Sequence, residues 1–441
     1  MKNNHTLKTF MSYVILNMLG MLGISCYILA DTYFIANGIG ADALTALNLA
    51  LPIFGLMNGM GLLLGIGSGT RYTILMARNK KEEANQVFSQ TIMIGVGIGL
   101  VLSIIGLMGA KTICGWLGAD AVTFNMMNSY LKTILSLAPF FILNHIIICF
   151  VRNDKGPKLV MMAMVVGSLI NIILDYVFIY SLGMGMFGVA FATGIAPMIS
   201  IGILSTHFFK EHNSLHFVKC KVQISTIKDS CSLGLSAFIT ELSTGIVLLV
   251  FNLVILKLAG NVAVAAYGII ANISLVCLAL FTGIAQGIQP LMSRYYGDGD
   301  MKKVYQVLKY ALCLAVGLGV ILYIGIYIFA SPLAAVFNKE QNLMLAELAI
   351  AGMHIYFIGI IFAGINIVGA AYLSAIEETK KGFSISILRG LVVIVPSVIG
   401  LAMLFGLNGV WVSFVFTEAI TACFAIAIMY NGYKVKELTS F

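Results

Sequence analysis

The sequence predicts an all-α polytopic membrane protein, with twelve transmembrane helices in two parallel repeats of six. Three observations carry that expectation. The 441 residues are 60% hydrophobic and only 10% charged, with a mean hydropathy of +1.00, whereas soluble domains average about 25% charged residues. The apolar residues come in runs long enough to cross a bilayer, which takes about 20 residues. The runs of the second half repeat those of the first at a nearly constant offset. Such a composition excludes a soluble enzyme, a disordered chain and a disulfide-stapled secreted module.

The spans follow in order when the chain is cut at charged and turn-rich stretches. Span 10–38 follows a basic N-terminus and carries Asp31. Span 44–76 holds Pro52 and Gly61, Gly65 and Gly69 on one face, a pattern for close helix packing. Span 86–116 is uniformly apolar, 124–150 holds Lys132, Pro139 and His145, 158–182 holds Asn171 and Asp175, and 186–210 holds Thr193 and Pro197. The longest polar connection, 211–229, follows. Then come 230–258 with Glu241, 263–294 with Pro290, 304–330, 343–373 with His354, 382–405 with Arg389 and Pro396, and 408–433 with Glu418. The prolines inside spans predict kinks whose freed carbonyls are satisfied by neighbours.

The charges alternate with this count. Lys2 and Lys8 precede the first span. Alternate loops then hold Arg78, Lys80 and Lys81; Arg152, Lys155 and Lys158; Lys210, Lys219, Lys221 and Lys228; Lys302 and Lys303; Lys380 and Lys381. Lys434 and Lys436 follow the last span, and the intervening loops have only Lys111, Lys257 and Lys339. The positive-inside rule therefore puts both termini in the cytoplasm of a multi-pass cell-membrane protein. The net charge of +8 reads as topology determination, with no nucleic-acid partner expected. The apolar N-terminal stretch is too long for a cleaved signal. Eight scattered cysteines, most inside apolar runs, read as small hydrophobes.

An offset of 220 aligns Gly40, Ala43, Ala46 and Ile53 with Gly260, Ala263, Ala266 and Ile273, and Gly97 and Gly99 with Gly317 and Gly319; an offset of 221 aligns Gly185 and Gly188 with Gly406 and Gly409. Six spans per half is an even number, so the two halves share one orientation, an architecture suited to alternating access. The expected organisation is an N-terminal lobe 1–210, a cytoplasmic connection 211–229 and a C-terminal lobe 230–441.

Ionisable residues inside hydrocarbon are costly and are functional candidates. Asp31, Asn171, Asp175 and Thr193 each fall about seven to eleven residues from the outer end of their spans. At 1.5 Å per residue they share a layer roughly 10 Å or somewhat more below the outer surface. Two carboxylates, an amide and a hydroxyl can hold a hard cation such as Na⁺ or exchange protons; the alternative is plain helix–helix hydrogen bonding. Glu241 and Glu418, near mid-depth, are candidates to attract a cationic substrate, or else internal hydrogen-bond partners. Lys132 reads as snorkelling to the interface or as a counter-ion to the acidic layer. Arg389 reads as satisfying carbonyls or snorkelling, and His145 and His354 as packed polar residues. No phosphate-binding Gly-rich loop, zinc-protease helix or selectivity-filter repeat is present, so neither ATP use nor enzymatic activity is expected.

Specific runs carry a resemblance. Asn171-Ile-Ile-Leu-Asp175, then Gly183-Met-Gly-Met-Phe-Gly188-Val-Ala-Phe-Ala-Thr193, resembles a signature of the multidrug and toxic compound extrusion (MATE) family, in its MepA-like bacterial branch. Asp31-Thr-Tyr-Phe-Ile-Ala, Gln286-Gly-Ile-Gln-Pro290, Gly297-Asp-Gly-Asp300, Tyr372-Leu-Ser-Ala-Ile and Gly406-Leu-Asn-Gly-Val-Trp411 add to it. The resemblance spans the chain. It implies two six-helix lobes in a V and export of organic cations and other amphipathic compounds in exchange for H⁺ or Na⁺. It implies a cation site at Asp31, Asn171, Asp175 and Thr193, a seventh-helix acid at Glu241 and no cofactor beyond the coupling ion; two lobes in one chain could form the pathway within a functional monomer. Two features depart from the family pattern. The first span has no proline, so Gly20 and Gly23 are the places where it could flex. The first-half counterpart of Gly297-Asp-Gly-Asp300 reads Ala77-Arg-Asn-Lys80, which predicts a different loop geometry. The rival functions are a lipid-linked oligosaccharide flippase, which wants a cationic cavity and usually more helices, and a receptor or scaffold, which needs no carboxylates from separate helices at one depth.

Overall fold

Apolar runs in a chain with so few charges bury their backbone groups most cheaply as helices. The computed structural model describes residues 2–211, 213–221, 223–338 and 341–438; Lys339 lies outside them. Its helices are α1 (Lys2–Gly38), α2 (Ala41–Ala77), α3 (Lys81–Trp116), α4 (Phe124–Ser136), α5 (Ala138–Asn153), α6 (Pro157–Tyr176), α7 (Gly185–Ser205), α8 (Ile224–Gly297), α9 (Met301–Ile328), α10 (Ala330–Phe337), α11 (Leu343–Tyr356), α12 (Gly359–Ala375), α13 (Thr379–Ile387) and α14 (Ile394–Leu438). Single π-helical turns, Val177–Ser181 and Leu388–Val392, follow α6 and α13.

Eight helical stretches are long and apolar enough to cross a membrane, and two bent pairs, α4 with α5 and α11 with α12, make two more. One of the eight has 74 residues, about 110 Å if straight, far more than a bilayer core. It is broken at Gly260 (φ 73°), as the stretch Thr379–Asn431 is broken at Gly406 (φ 59°). Each of these two thus supplies two spans, and the described residues give the expected twelve. Glycine adopts this left-handed conformation without the Cβ clash that other residues meet.

The internal repeat is written into the backbone. Positive φ recurs at Gly40 and Gly260, Asn79 and Gly299, Lys155 and Glu377, and Gly185 and Gly406, always 220 to 222 residues apart. The Ala77-Arg-Asn-Lys80 loop, expected to differ, instead closes like its partner. Lys80 N–H donates to Leu75 O at 2.9 Å and Asp300 N–H to Tyr295 O at 2.8 Å. Asparagine tolerates the left-handed position that glycine takes in the other copy.

Both halves break the fourth span of the repeat, where hydropathy alone predicts one continuous helix. The bends are 51° and 50°, at Leu137 and at Phe357–Ile358. Pro139 has no N–H for Leu135 O, and Phe140 N–H turns to Leu137 O instead of Ser136 O. The Ser103 hydroxyl lies 3.2 and 3.0 Å from these two freed carbonyls. In the second half Ile358 N–H goes to Ile355 O, and the Tyr323 hydroxyl takes the freed His354 carbonyl at 3.4 Å.

The chain forms two compact units: Ile15–Leu242 with Ser293–Asp300, and Met1–Val14 with Ser243–Met292 and Met301–Phe441. In the first, α2 packs along small residues. Gly61, Gly65 and Gly69 lie against His145, Cys149 and Asn153 of α5. Another face of α2 meets the start of α8, where Gly59 touches Phe238 and a Cβ on Gly67 would overlap the Ser230 carbonyl. Gly20 and Gly23 of the continuous helix α1 are contact points against Met164 and Val165 of α6.

The polar connection is strapped to the first unit. N–H groups of His216, Val218 and Gln223 donate to side chains of Asn85, Ser89 and Gln90 on α3. Phe217 packs on Phe88 and Phe208. Arg152, read from sequence as a loop cation, is instead buried, and its Nη1 donates to Asn17 Oδ1 at 3.1 Å. Between α3 and α4, the Thr123 N–H and hydroxyl both donate to Asp120 Oδ1 at 2.8 Å, holding that exposed carboxyl below the usual carboxylate range. The stabilisation from these loop hydrogen bonds is present above that range and fades as pH falls through the lowered value.

Candidate functional site

The four residues of the expected polar layer come from α1, α6 and α7 and all lie in the first unit. Asp31 is 8% exposed and Asp175 fully buried, with Asn171 and Thr193 buried between the helices. Asn171 and Asp175 are one turn apart on α6. With its amide oriented to satisfy both neighbours, Asn171 donates to Asp175 Oδ2 at 3.1 Å, and its oxygen accepts from the Thr193 N–H at 3.3 Å. The Thr193 hydroxyl donates to Val189 O at 2.9 Å, which leaves its oxygen lone pairs free to accept. Asp31 and Asp175 are within electrostatic reach of one another.

Asp31 Oδ1 and Asp175 Oδ1 are buried and accept no hydrogen bond. Burying a carboxylate oxygen without a partner is expensive. A proton or a small cation between the two acids would remove that cost. Among the described residues, no three His, Cys, Asp or Glu side chains converge as a metal centre. The layer offers two carboxylates and neutral oxygens, a donor set for a proton or a hard monovalent ion.

The structure adds two groups that do not stand out in the sequence. The phenols of Tyr27 and Tyr130 both lie within electrostatic reach of Asp31 and Asp175. Tyr27 is one turn before Asp31 on α1, the signal that could have found it; Tyr130 on α4 is brought in only by tertiary packing. Glu241, in the first span of α8, belongs to the same unit and lies within reach of Tyr27, beside Gly55 of α2.

The remaining candidates have other partners. Glu418 is buried in the second unit against Arg389 and Asn366. Lys132 is exposed and makes no ion pair with the acidic layer. His145 faces the Asn58 side chain at 3.2 Å, and His354 stacks on Tyr327 with ring centres 4.2 Å apart.

The MatE family matches residues 17–177 and 237–399, well over half of the chain and one stretch in each half. This chain belongs to the MatE family. Among its relatives, the multidrug export protein MepA of Staphylococcus aureus (strain MRSA252) is 27% identical over 428 residues, covering 96% of this chain and 93% of that protein. The fold matches a MATE crystal structure in complex with MaL6, with a TM-score of 0.92 at 23% identity, over 99% of this chain and 98% of that one. It also matches the outward-facing conformation of a multidrug resistance MATE transporter of the MOP superfamily. There the TM-score is 0.90 at 23% identity, over 98% of this chain and 96% of that one. The chain therefore has the twelve-helix MATE fold of a multi-pass membrane transporter, and not that of an enzyme.

Proposed function

We propose that this chain is a secondary active antiporter of the cell membrane that exports amphipathic and cationic small molecules in exchange for H⁺ or Na⁺. The carrying observation is the pair of buried carboxylates, Asp31 and Asp175, each with an oxygen that accepts no hydrogen bond. A binding scaffold has no need to bury two acids from different helices; an exchanger needs a place where a cation binds in one state and leaves in another. Membership in the MatE family and the similarity to a multidrug export protein support the same reading.

Asn171 and Thr193 hold Asp175 in register, and Asp31 completes the site from α1. Cation binding drives export only through a difference in affinity between two conformations, because an ion that binds both equally shifts nothing. In this reading the halves 1–210 and 230–441 are the lobes whose arrangement changes, 211–229 is their cytoplasmic connection, and both termini face the cytoplasm. One chain carries both lobes, so a monomer suffices.

Dye export from intact cells tests the reading. Cells producing the wild type are expected to export ethidium, whereas Asp31→Asn should reach the surface in equal amount and export none. Equal export by the two proteins would contradict an exchange site at Asp31.

A further inference from the structure

The second unit buries an ion pair of its own. Glu418, 2% exposed, lies in the part of α14 beyond Gly406. Its Oε1 accepts from Arg389 Nε at 2.6 Å and its Oε2 from Asn366 Nδ2 at 2.7 Å. The Asn366 amide also donates to the Glu418 carbonyl at 2.9 Å. Arg389 is 14% exposed and sits in the π turn Leu388–Val392, a deformation that often marks functional positions. Tyr356 of α11 is in electrostatic reach of both charges, with Ser274 and Cys277 of α8 nearby.

The repeat makes this arrangement informative. At the offsets that align the halves, Asp31 meets Phe251, Thr193 meets Phe414 and Asp175 meets Pro396. The second unit thus replaces the acidic layer with apolar residues, two of them aromatic. Tyr356 stacks on Phe414 with centroids 4.1 Å apart and meets Phe251 edge-on at 6.3 Å. Its one buried acid in the described spans, Glu418, lies one helical turn beyond Phe414. That acid and the Asn366 amide resemble in chemistry the Asp175–Asn171 pair of the first unit, with a guanidinium already in place.

We propose that Arg389 is a tethered cation occupying the Glu418–Asn366 site, which closes the second unit to mobile cations and leaves ion exchange to the first unit. A guanidinium does not lose its proton in proteins, and a covalently held cation cannot leave during a transport cycle. Removing it leaves a buried carboxylate uncompensated. Glu418 then takes a proton or a small monovalent cation instead. The assignment to one exchanging unit rests on the antiport reading; the occupied state of Glu418 does not.

Reactivity with dicyclohexylcarbodiimide, which modifies protonated carboxyl groups in apolar surroundings, tests this without measuring transport. The full-length protein in proteoliposomes is labelled across the physiological pH range, and Glu418 is read by peptide mass spectrometry. Wild type and Arg389→Lys are expected to leave Glu418 unlabelled, and Arg389→Gln to raise its labelling at least about tenfold. Added Na⁺ or acid pH should change that labelling in Arg389→Gln alone. Glu418 labelling in the wild type that responds to pH or to tetraphenylphosphonium would overturn the proposal, and so would an unlabelled Glu418 in inserted Arg389→Gln. The wild-type arm decides even where the variant does not insert. Absence of dye export by the wild type, with the labelling pattern intact, would count against the antiport reading and not against the tethered cation.

Discussion

Asn171 bonds to both Asp175 and Thr193, so its amide sets the geometry of the acidic layer without bringing a charge. Asn171→Leu keeps the volume and removes both contacts. Export should fall between about tenfold and a hundredfold, the range for residues that position an ion's ligands, while the amount of inserted protein stays the same. Initial export rates normalised to surface protein measure this. Asp31, Asn171, Asp175 and Thr193 were legible in the sequence because polar residues stand out in apolar runs and helical rise converts position into depth. Tyr130 was not, because an aromatic residue in a membrane helix looks like packing until the neighbouring helix is placed beside it. The pairing of Glu418 with Arg389 was hidden for the same reason: 29 residues and a sharp break at Gly406 separate them.

The helices themselves are shaped by small residues and by carbonyls that lose their regular donors. Gly67 of α2 lies so close to the start of α8 that a Cβ would overlap the Ser230 carbonyl, whereas Gly97 on α3 has open space around its Cβ position. Gly67→Ala should therefore destabilise the protein by about 1–3 kcal/mol, as overpacking does, and Gly97→Ala should be near neutral. Thermal unfolding in detergent compares them; equal midpoints would contradict the packing of α2 on α8. The glycine spacing was readable as a packing face, but which helix it meets was not. The bend at Leu137 has a proline to announce it. The bend at Phe357 has none, and only its equivalent place in the repeat reveals the shared design.

At the scale of the whole molecule, hydropathy and charge alternation gave the twelve spans, because a bilayer imposes one length and one polarity on every crossing segment. The repeat was visible as a few aligned glycines and became plain once the positive-φ positions paired across the halves. The coupling ion belongs to this scale too, since two carboxylates and two neutral oxygens accept either H⁺ or Na⁺. The most direct measurement is ethidium transport in proteoliposomes under separately imposed Na⁺ and pH gradients, wild type beside Asp175→Asn. The account predicts transport by the wild type under at least one of the two gradients and none by Asp175→Asn under either. Wild-type rates retained in a well-inserted Asp175→Asn protein would contradict the claim that the buried acidic layer couples ion flow to export.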